Sequence, residues 1–107
     1  MLTVQWRVRS PGWTEVRDER QLAVQIADLV NVEDRGYLQL DSVGSRRAVV
    51  VRTFGGFTVI QRDVVGADIR ARLQSTIWIL GAAKCAWNWV IPHEAAVHDR
   101  AATAMTT

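Results

Sequence analysis

One stretch restricts this chain more than any other: Arg47–Arg62, reading Arg-Ala-Val-Val-Val-Arg-Thr-Phe-Gly-Gly-Phe-Thr-Val-Ile-Gln-Arg. Two runs rich in β-branched and aromatic residues flank the Gly55-Gly56 pair. Such a pair supplies the positive φ of a two-residue primed turn without steric cost, so the spacing predicts a β-hairpin. A turn centred on the glycines pairs Phe54 with Phe57, Thr53 with Thr58, Arg52 with Val59 and Val51 with Ile60. Val49, Val51 and Ile60 then share one face. Val50, Phe54, Phe57 and Val59 share the other with Arg52 and Gln61. Both faces are partly apolar, which predicts a hairpin inside a sheet rather than at a wet edge. It is scaffold, not chemistry.

Before the hairpin, residues 2–9 alternate: Leu2, Val4, Trp6 and Val8 against Thr3, Gln5, Arg7 and Arg9, the pattern of a half-buried strand. Ser10-Pro11-Gly12 is turn chemistry, and Trp13–Arg17 can return as a short second strand. Asp18 with Gln21 three residues on is a capping-box arrangement at a helix start. Leu22, Ile26, Leu29 and Val30 follow as one helical stripe. Tyr37–Asp41 then reads as a strand with Leu38 and Leu40 inward, and Ser42–Ser45 as a turn into the hairpin.

The last third is read as one long helix, Asp68–Ile91, with Asp68 as its N-cap. Ile69, Leu73, Ile77, Leu80, Trp87 and Ile91 form its apolar stripe, interrupted by Lys84. The competing reading is a helix followed by a hairpin around Gly81–Lys84, which the β-branched and aromatic content supports. Pro92 is expected to break the chain's course. The predicted class is α+β: a small antiparallel sheet in β-β-α-β-β-β order, a helix in the N-terminal half and a long C-terminal helix packed on it. Residues 1–92 form a single domain, and 93–107 a loosely ordered C-terminal tail.

A chain of 107 residues, 49% hydrophobic, can bury a core without disulfide or metal staples. The single cysteine, Cys85, forms no internal disulfide, and the N-terminus lacks the apolar region of a signal peptide, so a cytoplasmic location is expected. The apolar run Ser75–Ile91 falls short of the roughly 20 residues a membrane span needs and carries Lys84 near its middle. Of the 13 basic residues only Lys84 is lysine, a bias that a high-GC bacterial or phage source would produce.

No catalytic site, metal site or cofactor is expected. His93-Glu94-Ala95-Ala96-Val97-His98 misses the zinc-protease spacing by one residue, and histidines five apart diverge by about 140° on a helix. Cys85 lies in an alanine-rich run where a lone thiol is buried and inert. No spacing pairs Asp41, Asp63 and Asp68. Gly55-Gly56 lacks the wider glycine pattern and the lysine of a phosphate loop.

What stands out is binding chemistry. The chain has five tryptophans. Trp6 reads as core. On a helix, Trp78 and Trp89 lie off the stripe that holds Trp87, so Trp78, Trp87 and Trp89 are the candidate apolar anchors for a partner. Arg46, Arg47, Arg52, Arg62, Arg70 and Arg72 stand against only Asp63 and Asp68 between positions 46 and 72, a local charge of +4. They are candidate charged contacts, to a protein or to nucleic acid.

In layout, residues 1–62 resemble the small Imm1-like immunity proteins of bacterial toxin systems. The resemblance rests on a strand with the early Trp6, a helix beginning after Val16-Arg17-Asp18 with Leu22, strand Tyr37-Leu38-Gln39-Leu40, and the hairpin through Gly55-Gly56. It implies a non-catalytic protein that binds a cognate toxin and blocks it. Phage-encoded anti-CRISPR inhibitors share the small, motif-poor character. The expected function is therefore steric inhibition of a protein target, a toxin or a nucleic-acid-processing effector. Two alternatives are a nucleic-acid-binding accessory protein using the arginines, and a homo-oligomeric structural component using the last third as its seam.

Overall fold

The computed structural model describes residues 3–6, 12–30, 36–42, 44–65 and 67–106, with side chains at 13–29, 36–42, 44–64 and 67–92. In chain order the elements are β1 (Thr3–Trp6), β2 (Gly12–Glu15), α1 (Glu19–Val30), β3 (Tyr37–Asp41), β4 (Arg46–Thr53), β5 (Gly56–Val65), β6 (Asp68–Thr76) and α2 (Ile79–Thr106). The six strands form one sheet in the order β2-β1-β3-β4-β5-β6, antiparallel at every step. The class is α+β, as the sequence predicts, with one strand more than expected.

Local chemistry starts α1. Asp18 Oδ1 accepts the Gln21 backbone N–H at 2.7 Å, and Gln21 Oε1 accepts the Arg17 N–H at 2.7 Å. The side chain therefore reaches back one residue further than in a standard capping box. Leu22, Ile26 and Leu29 are fully buried, as their stripe requires; the side chain of Val30 lies outside the described residues, as do those of Leu2, Val4, Trp6 and Val8.

Both helices lie on one face of the sheet. Leu38, Leu40, Ala48, Val50 and Val59 point at them and are wholly buried with Leu22, Ile26 and Leu29 of α1 and Ala82, Ala83, Ala86 and Val90 of α2. Each large aliphatic side chain in that cluster stabilises the fold by about 1.5–3 kcal/mol relative to exposure. The second face carries Val49, Val51, Ile60, Val64, Ile69 and Leu73, and neither helix covers it.

The hairpin is present, but its turn sits one residue earlier than predicted. Thr53 pairs with Gly56, Arg52 with Phe57, Val51 with Thr58 and Val50 with Val59. Phe54 and Gly55 are the central residues, and Gly55 alone has positive φ, at 82°. That is the demand of a type II turn rather than a primed one. The pairing shifts by two positions, so each side chain except that of Phe54, now in the turn, keeps its predicted face. Gly56 is needed for packing: a Cβ there would lie 2.5 Å from the Thr76 carbonyl oxygen.

The predicted helix over Asp68–Gln74 is a correction. Asp68–Thr76 is strand β6, paired with β5 along its whole length, and Asp68 lies opposite Val65 instead of capping a helix. Residues four apart share a face in both geometries, so Ile69 and Leu73 satisfied either period. α2 begins only at Ile79, where the Ala82 N–H donates to the Trp78 carbonyl at 3.0 Å. The choice of helix over hairpin for residues 79–91 is borne out. The break expected at Pro92 is not found; α2 runs through it to Thr106. The side chains of 93–107, the expected tail, lie outside the described residues.

Candidate interaction surface

The three candidate tryptophans occupy different environments. Trp89 is half-buried and tied into the fold. Its indole Nε1 donates to the Arg62 carbonyl at 3.1 Å, and the Arg46 guanidinium sits 4.0 Å over its ring. Arg46 Nη1 also donates to the Trp89 carbonyl at 3.4 Å, and Arg46 Nε lies 3.5 Å from Asp63 Oδ2. This cation–π and ion-pair group ties α2 to β4 and β5. Trp87 is half-buried and packs against the core. Trp78, by contrast, is 69% exposed in the link between β6 and α2. Its N–H donates to Thr76 Oγ1 at 3.2 Å, which holds the backbone while leaving the indole outside.

Trp78 has apolar company. Phe54, at the hairpin turn, is fully exposed, and Ile77 and Leu80 are more than half exposed beside it in the chain. The turn residues 53–57 and the junction residues 75–78 border an open hollow of about 550 Å³. Along the neighbouring edge, Ile69 and Leu73 of β6 stand 70% and 68% exposed. Among the described residues, nine large apolar side chains are exposed: Val64, Ile69 and Leu73 on β5 and β6, Phe54 in the β4–β5 turn, Ile77 and Trp78 in the link to α2, Leu80 in the first turn of α2, Trp13 on β2 and Val24 on α1. Exposed apolar side chains in such number carry a solvation cost that covering them would relieve.

Sequence reasoning found Trp78 but not Phe54, Ile69, Leu73, Ile77 or Leu80 as surface residues. Four of those five were assigned to the buried stripe of a helix. Phe54 was assigned to a paired position and is instead the first central residue of the turn, where nothing covers it.

The six arginines do not share one face. Register puts Arg46, Arg52, Arg70 and Arg72 on the helix side of the sheet, and Arg47 and Arg62 on the open side. Arg47 pairs with Asp41 at 2.8 Å, and Arg52 Nη1 donates to the Leu29 carbonyl at 3.4 Å, near the C-terminus of α1 where positive charge is favoured. Arg62, Arg70 and Arg72 are exposed. Asp41 and Asp63 lie on opposite faces, each beside an arginine.

No family model matches the chain, and no curated protein or solved structure matches it. Chemistry must therefore be judged from the side chains. Among the described residues, no three His, Cys, Asp or Glu side chains are grouped to hold a metal ion. The His93/His98 pair lies outside the described side chains. Cys85 is a half-buried free thiol, and its carbonyl accepts the buried Gln61 amide at 3.1 Å. No helix among the described residues is long and apolar enough to cross a membrane.

Proposed function

We propose that the chain is a non-catalytic binding protein that inhibits a macromolecular target by occupying its surface, in the manner of a toxin-immunity protein or a phage-encoded anti-defence inhibitor. The supporting observation is the concentration of exposed apolar side chains at the hairpin end, with Phe54 and Trp78 across an open hollow. Aromatic anchors of this kind dominate binding energy when a partner desolvates them. Trp87, packed on the core, and Trp89, held by Arg46 and the Arg62 carbonyl toward the opposite end of β4 and β5, steady the fold that presents this surface. The exposed Arg62, Arg70 and Arg72 offer charged contacts toward that opposite end of β5 and β6. The target class is a toxin or nucleic-acid-processing effector, met in the cytoplasm.

Affinity capture from native host extract, with and without nuclease, tests this reading. One protein should be recovered under both conditions by the wild type and lost, by tenfold or more, with the Phe54→Ala/Trp78→Ala double variant. Both side chains are exposed, so the variant should keep its fold by circular dichroism. Undiminished capture by the variant would remove the anchor role. Recovery that depends on nucleic acid would favour the second reading, contact through the exposed Arg62, Arg70 and Arg72, and should weaken steeply with added salt.

A further inference from the structure

β6 is a nine-residue edge strand, hydrogen-bonded to β5 on one side and last in the sheet on the other. A long edge carrying exposed aliphatic residues is a template for another strand. We propose that its occupant is β6 of a second copy of this chain, paired antiparallel about a two-fold axis through Leu73. This inference stands apart from the inhibitor reading, since it concerns the edge and not the hollow beside Phe54.

The arginines of β6 choose the register. Directly opposed residues of an antiparallel pair point to the same face, so a two-fold axis normal to the sheet must pass through a residue position. An axis at Arg70 or at Arg72 sets that arginine against its own copy, and an axis at Ala71 sets Arg70 against Arg72. Like charges directly opposed are destabilising. An axis at Ile69 opposes Asp68 to Arg70 but pairs only residues 68–70, and an axis at Gln74 pairs only 72–76. An axis at Leu73 pairs residues 70–76, with Arg72 opposite Gln74, Arg70 opposite Thr76 and Ala71 opposite Ser75. It is the longest register of the strand that opposes no two arginines.

The same axis matches the apolar face. Val49, Ile60 and Leu73 form one cross-strand row on the open side of the sheet. Leu73 against its copy would carry that row unbroken into the second sheet. The charged residues that would blunt this edge thus act as a selector among registers instead of a bar to pairing.

Sedimentation equilibrium of the full chain at micromolar concentrations, with thiol cross-linking in a Cys85→Ala background, tests the proposal. The wild type should be dimeric, and Leu73→Asp monomeric with an unchanged circular dichroism spectrum. Gln74→Glu places a carboxylate opposite Arg72 twice per dimer and should tighten association by about threefold to tenfold. Leu73→Cys should oxidise to a covalent dimer, because opposed Cα atoms lie within disulfide reach, while Ala71→Cys should not. A chain monomeric throughout would overturn the proposal, and so would a dimer indifferent to Leu73→Asp. Cross-linking through Ala71→Cys in preference to Leu73→Cys would overturn the register.

Discussion

Strands β3 and β6 carry the same kind of alternation and meet opposite fates. In β3 the aliphatic residues Leu38 and Leu40 point toward the helices and are wholly buried. In β6 Ile69 and Leu73 occupy the opposite parity and stay more than two-thirds exposed. Composition does not separate them; parity relative to a single helical layer does. A sheet covered on one side gives every strand one inside, and an aliphatic residue on the other side is free for association.

The largest effect should come from removing a β3 side chain. Leu38→Ala should lower unfolding free energy by about 2–5 kcal/mol in urea titration. Leu73→Ala, measured at a dilution where the chain is monomeric, should change it by less than about 0.5 kcal/mol. Equal losses at both sites would break the comparison. An intermediate effect is expected at the junction between the covered and open regions. Gly56→Ala forces a Cβ against the Thr76 carbonyl and should cost about 1–3 kcal/mol, read as a lower thermal midpoint. The smallest change sharpens the role of Trp89. Trp89→Phe keeps a ring beneath Arg46 but loses the bond to the Arg62 carbonyl, and should cost about 1 kcal/mol. A fully tolerated Trp89→Phe would assign the residue's contribution to its ring alone.

The same two strands show what could be read in advance. β3 was legible because its leucines are two apart, which fits a strand and not a helix face. β6 was not, because attention to Ile69 and Leu73, four apart, left the period undecided. The deciding pattern was in the residues between them: Arg70, Arg72, Gln74 and Thr76 alternate with Ile69, Ala71, Leu73 and Ser75. The inner face of α2 was obscure for another reason. It is built from Ala82, Ala83, Ala86 and Val90, residues of little hydrophobic weight, while the conspicuous Leu80 points outward. Small side chains let a helix lie close to its neighbours, and no scale that rewards bulk selects them. The tryptophans were visible as unusual, but the division of Trp78, Trp87 and Trp89 into one exposed and two half-buried side chains follows from where α2 begins.

Strand order has a further consequence, for the timing of assembly. β3, β4, β5 and β6 are neighbours in space in the order in which they leave the ribosome, joined by short connections that close at small entropic cost. The meander can therefore form while α2, which supplies the cover for β4 and β5, is still being made. Until α2 arrives, α1 alone shields the inner side of the sheet, at β3 and part of β4, and the bare inner side of β5 makes the nascent chain most adhesive between the closing of the meander and the emergence of α2.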